Sequence, residues 1–131
     1  MATIFSKIIA GDIPCYKIYE DDLFFAFLDI NPVAKGHTLV VPKQEVDYIF
    51  DLNDDLLSKM VLVAKKVGKA IEKTIPCNRI GISVIGLEVP HAHIHLMPIQ
   101  RLHDMSFEKE RLSFTPEEYK EIARAIAANL Q

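Results

Sequence analysis

The sequence predicts an α+β fold: a five-stranded antiparallel sheet with one long helix, a short N-terminal helix and a C-terminal helix. Three features lead there. Residues 15–42 hold three apolar, β-branched stretches joined by short connections, which favours an antiparallel meander over a βαβ crossover. Residues 54–73 carry an apolar stripe at helical spacing with lysines opposite it. Residues 78–98 hold two further extended stretches around Gly86, and the second contains three of the five histidines at alternate positions.

At 131 residues, half of them hydrophobic and a quarter charged, the chain is long enough to bury a real core, and a single domain over 1–131 is expected. The net charge of -3 gives no electrostatic footprint for a nucleic-acid polymer. The apolar runs fall far short of the roughly 20 residues a membrane span needs, so no membrane partner is expected. The opening residues 1–7 lack the long apolar core of a signal peptide. Cys15 and Cys77 stand apart with no CxxC pair, which fits buried thiols in a reducing cytoplasm.

In chain order, Ile4, Phe5, Ile8 and Ile9 recur at helical spacing, and Gly11 can close a helix over 3–9. Ile13-Pro14 leads into a first strand, Cys15 to Glu20. Asp21-Asp22 turns the chain into a second, Leu23 to Asp29. Residues 30–36 are rich in breakers and read as a loop, and His37 to Pro42 forms a third strand ended by its proline. Asn53 is placed to cap the long helix, with Asp54 and Asp55 in the first turn, where the helix dipole favours acids. Leu56, Leu57, Met60, Val61, Ala64, Val67, Gly68 and Ile71 form its apolar stripe. Residues 78–85 form a fourth strand and the histidine segment a fifth. Thr115-Pro116-Glu117-Glu118 matches a capping box with proline at the first helical position, opening the last helix.

On a strand, His91, His93 and His95 would point one way and Ala92, Ile94 and Leu96 the other. Three imidazoles in register gain nothing for folding, because they repel when protonated; clustered titratable groups mark sites. Two chemistries are open. With His37 on a neighbouring strand they make a four-nitrogen metal site, although alternate side chains lie about 6.6–6.8 Å apart and convergence would bend the strand. Alternatively the central imidazole, His93, is a nucleophile, its other nitrogen held by a hydrogen bond that fixes the tautomer, while the outer two donate to oxygens of a phosphorus electrophile. Attack would give a phosphohistidine-type intermediate that water cleaves.

The run Val89-Pro90-His91-Ala92-His93-Ile94-His95-Leu96-Met97 resembles the signature of the histidine triad (HIT) family. Residues 27–32 with 36–43 resemble its second block, and Ile4 to Ile9 with Gly11 to Pro14 its first. The resemblance implies a homodimeric α+β protein that binds a purine nucleotide or nucleotide conjugate and hydrolyses or transfers nucleotidyl groups. It makes His93 the nucleophile, His91 and His95 its flanking histidines, and His37 a supporting fourth. It assigns Asp29 to the ribose hydroxyls, and Phe5, Ile8, Phe27, Leu28, Ile30 and Leu39 to the surroundings of base and sugar. It implies no cofactor. Taken alone, each of those apolar residues reads as core, and Asp29 as a turn-starting acid.

Two departures from the family pattern stand out. The loop before the triad is short, and Leu87-Glu88, ahead of Val89, replace a Gln-Ser pair. A carboxylate near a phosphate is repulsive unless protonated or paired with a cationic leaving amine, so Glu88 points to an amine-type leaving group. Thr3 and Ser6 stand where zinc-containing relatives carry cysteines, so no structural zinc is expected. His103 falls in a polar loop, 100–113, and is expected to be exposed.

Overall fold

The computed structural model describes residues 2–130. Five strands, β1 (Lys17–Glu20), β2 (Phe24–Leu28), β3 (Thr38–Pro42), β4 (Arg79–Ser83) and β5 (Ile94–Ile99), form one antiparallel sheet in the order β1-β2-β3-β5-β4. Three α-helices accompany it: α1 (Ile4–Ile9), α2 (Asp54–Thr74) and α3 (Pro116–Ala128). The α+β class and its five strands and three helices are those the sequence predicts. Among the described residues, no helix is long and apolar enough to cross a membrane.

The caps do what their residue types suggest. Thr3 accepts from Ser6 N–H at the start of α1, Asn53 from Leu56 N–H at the start of α2, and Thr115 and Glu118 complete a reciprocal box on α3.

β2 and β3 are buried on both faces, which explains their unbroken apolar runs. Successive side chains divide between two clusters. Phe24, Ala26, Leu28, Val40, Ile94 and Leu96 meet Met60, Val67 and Ile71 of α2 and Ile122 and Ile126 of α3. Phe25, Phe27, Leu39 and Val41 face the other way and pack with Phe5 of α1. Each such large apolar side chain contributes about 1.5–3 kcal/mol by leaving water.

β1–β3 form the expected antiparallel meander. β3 and β4 each run antiparallel to β5, and therefore parallel to one another, with α2 as the crossover and β5 inserted between them. The histidine strand is also shorter than expected. His91 N–H turns back to Val89 O (2.8 Å) and Ala92 N–H goes to Val46 O (2.7 Å), so ladder pairing with β3 starts only at Ile94 opposite Val40. His91 and His93 thus lie in the turn and lead-in before β5. Cys15 and Cys77, expected to be buried, are half-buried, since Cys15 precedes β1 and Cys77 lies in the α2–β4 connection.

One glycine is required beside the site. Gly36 has φ +89°, and a Cβ there would run into Ile75 Cδ1. The left-handed bend places His37 at the entry to β3.

Candidate active site

The protons on the four imidazoles can be assigned from their partners, because a neutral imidazole has one donor and one acceptor nitrogen. Val33 N–H donates to His37 Nδ1 (3.1 Å), so the His37 proton sits on Nε2 and is given to His95 Nδ1 (2.9 Å). His95 therefore carries its own proton on Nε2. His93 Nδ1 lies 2.7 Å from the His91 carbonyl oxygen, which can only accept, so His93 is protonated at Nδ1 and bears its lone pair on Nε2. His91 donates through Nε2 to Pro42 O (2.8 Å) and accepts at Nδ1 from the Thr3 hydroxyl (2.7 Å). Among the described residues, neither His93 Nε2 nor His95 Nε2 has a protein hydrogen-bond partner, and the two rings stand 4.8 Å apart, edge to face. A bare lone pair beside an N–H donor is an arrangement for attack on an electrophile whose charge the donor stabilises.

Burial sets the charge state. Desolvation, helped by the positive charge of Arg111 and by neighbouring imidazoles, pushes His37 and His95 down to about 3. Desolvation also lowers His93, partly offset by the hydrogen bond to the His91 carbonyl. His37 Nε2 lies 3.6 Å from Asp29 Oδ2, too far for a hydrogen bond, and with a neutral ring this is a dipolar contact and not an ion pair.

His93 and His95 line a cavity of about 490 Å³. Its apolar wall includes Phe5 and Ile8 of α1, Phe27 and Leu28 of β2, Ile30, Leu39 of β3, and Val89. Asp29 and Glu88 supply carboxylates at its rim. Every residue the resemblance assigns to substrate thus borders one space. His91 and His37 do not line it. His91 has both ring nitrogens engaged, so it is not the flanking donor that alternation along one continuous strand suggests. His37 stands behind three lining residues, His95, Asp29 and Phe107, and hydrogen-bonds to the first of them.

Two cavity residues carry no sequence signal. Phe107 lays its ring 4.7 Å from His95 and 5.9 Å from His37, closing that side. Arg111, the sole lysine or arginine lining the cavity among the described residues, donates to Asn31 O (2.7 Å) and Phe107 O (3.1 Å). Both lie between the 3-10 turn Leu102–Met105 and α3, where no periodicity or motif marks them. His103 on that turn is exposed, as expected. Asp29, His37 and His95 offer ligand atoms within 4.8 Å of one another, a geometry that could hold a metal ion; the proton shared between the two imidazoles already accounts for their closeness.

The HIT domain pattern matches residues 10–102, from the end of α1 through the histidine segment. The chain belongs to the HIT family. It is 36% identical over 135 residues to an uncharacterized HIT-like protein of Borreliella burgdorferi, covering 97% of each chain. It is 34% identical over 134 residues to an adenosine 5′-monophosphoramidase of Schizosaccharomyces pombe, covering 100% of both. Among solved structures, a Hit-like protein from Bartonella henselae superposes with a TM-score of 0.85 at 31% identity, over 98% of this chain and 96% of the other. The five-stranded sheet with three helices is thus the HIT fold, and family membership supports a hydrolase that binds nucleotides.

Proposed function

We propose that this HIT protein hydrolyses or transfers the nucleotidyl group of purine nucleoside phosphoramidates or related conjugates through a covalent nucleotidyl-His93 intermediate, releasing the nucleoside monophosphate. The observation that carries this is the one free lone pair among the imidazoles lining the cavity, His93 Nε2, next to His95 Nε2–H. The apolar wall of Phe5, Ile8, Phe27 and Leu39 takes the base, and Asp29 accepts from the ribose hydroxyls. His93 Nε2 attacks phosphorus as the bond from phosphorus to the leaving nitrogen breaks. That nitrogen needs one proton. The anionic phosphoryl group favours uptake of a proton from solvent by the cluster, and His95 Nε2–H is the donor beside it. Water then attacks phosphorus, breaks the bond to Nε2, returns a proton to solvent through His95 and restores the His93 lone pair.

Adenosine 5′-phosphoramidate, quenched in acid within the first turnovers and examined by intact mass, tests the reading. AMP release with a transient AMP-sized mass increase supports it. Bound nucleotide without AMP release would make the protein a non-catalytic nucleotide-binding module. Stoichiometric metal in untagged protein, lost with His95→Ala, would instead assign the cluster to metal.

Glu88 opposes the burial effect on His93, since its negative charge favours the imidazolium. We assign it to recognition of a cationic leaving amine. Glu88→Gln is therefore expected to slow substrates with basic amines more than the unsubstituted phosphoramidate, and to move the acid limb of the profile to lower pH. Unchanged turnover and profile would sink this role. We also assign a homodimer, because β4 is a sheet edge with Ile82, Val84 and Ile85 exposed at and beyond it. A monomer mass in light scattering would overturn it.

A further inference from the structure

Outside the cavity lining, four polar side chains from three segments far apart in the sequence form a hydrogen-bonded network. Thr3 caps α1, Ser6 lies in its first turn, Glu45 follows β3, and His91 precedes β5. The Thr3 hydroxyl meets His91 Nδ1 at 2.7 Å across 88 residues, in a buried contact. Thr3 Oγ1 also accepts from Ser6 N–H (3.0 Å). The Ser6 hydroxyl (2.8 Å) and Thr3 N–H (2.5 Å) both donate to Glu45 Oε1.

Proton counting gives the network a direction. Pro42 O can only accept, so it takes the one proton of the His91 ring, and Nδ1 must then accept. Thr3 has one hydroxyl proton, and His91 is where it goes. Thr3 Oγ1 also lies 3.2 Å from Ser6 Oγ, but that hydroxyl gives its own proton to Glu45. Glu45 is exposed, yet the two groups donating to it hold its carboxyl below the ordinary carboxylate range, as expected for an anchoring anion. The same residue that Thr3 grips supplies, through its carbonyl, the acceptor for His93 Nδ1–H. Helix α1 in turn presents the Phe5 ring edge-on to His91 and His93, at 5.6 and 5.0 Å between centroids.

We propose that Thr3, backed by Ser6 and Glu45, is a positioning residue for the nucleophile: by closing the second nitrogen of His91 it fixes that residue, and through the His91 carbonyl it keeps His93 protonated at Nδ1 and unprotonated at Nε2. This rests on His93 being the nucleophile, but the hydrogen-bond chain can be read without turnover. Thr3 lies 88 positions from the imidazole it contacts and does not itself line the cavity, so neither the triad motif nor the pocket lining points to it.

The experiment uses the full chain labelled with 15N-histidine, and compares wild type, Thr3→Val, which keeps the shape and loses the proton, and Thr3→Ser, which keeps the proton. Imidazole nitrogen shifts report which ring atoms are protonated and hydrogen-bonded. Thr3→Val is expected to shift His91 Nδ1 and His93 Nδ1–H and to lower kcat by roughly 10- to 100-fold, the range seen for groups that orient a functional imidazole, with KM little changed. Thr3→Ser is expected to restore both. Unmoved nitrogen signals in Thr3→Val, or moved signals with wild-type kcat, would overturn the proposal. Should Thr3→Val fail to fold, Glu45→Gln at an exposed position reads the same chain, and an unshifted His91 Nδ1 there would be equally fatal. If wild type releases no AMP, catalysis by His93 fails on that result, while the nitrogen shifts still decide the clasp.

Discussion

His93→Ala is expected to bind nucleotide and to release AMP from adenosine 5′-phosphoramidate at no more than roughly one ten-thousandth of the wild-type rate, the scale of loss when a nucleophile is removed. The size follows from the absence of a substitute. His91 spends Nε2 on Pro42 O and Nδ1 on the Thr3 hydroxyl. His37 spends Nδ1 on Val33 N–H and Nε2 on His95. His95 has its lone pair occupied by His37, and its free nitrogen bears a proton. No other imidazole of the cluster can offer a lone pair to phosphorus without breaking a buried hydrogen bond, and His103 does not line the cavity. Substantial turnover by His93→Ala, with a melting profile like wild type, would show that the wrong imidazole has been assigned. Loss of nucleotide binding along with turnover would say that His93 serves the ground state, which is a different role.

Mild acid is the second large effect. His37 and His95 are held down to about 3 in the folded protein, against an ordinary value near 6.5. Between these values the unfolded chain binds protons that the folded one refuses, so stability is full above about pH 6.5 and falls as pH drops through the window. Each imidazole contributes a slope of up to about 1.4 kcal/mol per pH unit, and the pair about 2–3 together. Denaturant unfolding at steps between pH 7 and 5 reads the effect, to which the lowered His93 adds in the same direction, because ordinary carboxylates remain ionised there in both states. A flat profile over that range would mean that the two imidazoles are more easily protonated than their burial implies. Since the cluster sits between β3 and β5, the loss appears as global unfolding and not as fraying of a loop.

The parts of this molecule written in local sequence are those that local physics governs. Helix α2 was legible because Asn53, Asp54 and Asp55 start it and one stripe repeats at helical spacing; α3 because Thr115 and Glu118 cap each other. The central strands were legible as apolar, β-branched runs. The triad spacing, together with Asp29 and His37, pointed to one cluster, and those residues do surround one cavity or support it. What escaped was long-range. Nothing near His91 says that its N–H will turn to Val89 O or that Ala92 will pair with Val46, so β5 looked longer than it is. Phe107 and Arg111 reach the site from an irregular segment whose path is fixed by tertiary contacts such as Leu112 N–H to Pro32 O (2.9 Å). The grip of Thr3 on His91 depends on a docking of α1 that no periodicity encodes.

The insertion of β5 between β3 and β4 has a consequence for the chain while it is being made. β1–β3 can pair as soon as they emerge from the ribosome, but the far edge of β3 has no strand to pair with until residues 94–99 have been synthesised. For that interval an apolar strand, destined for burial on both faces, presents unpaired backbone groups to other nascent chains, and such edges recruit aggregates or chaperones. Arrival of β5 seals the edge and, in the same movement, carries His95 to His37 across 58 positions. Protection from misassembly and completion of the imidazole cluster are therefore one event in the life of the chain, and a molecule that has failed to finish one has not begun the other.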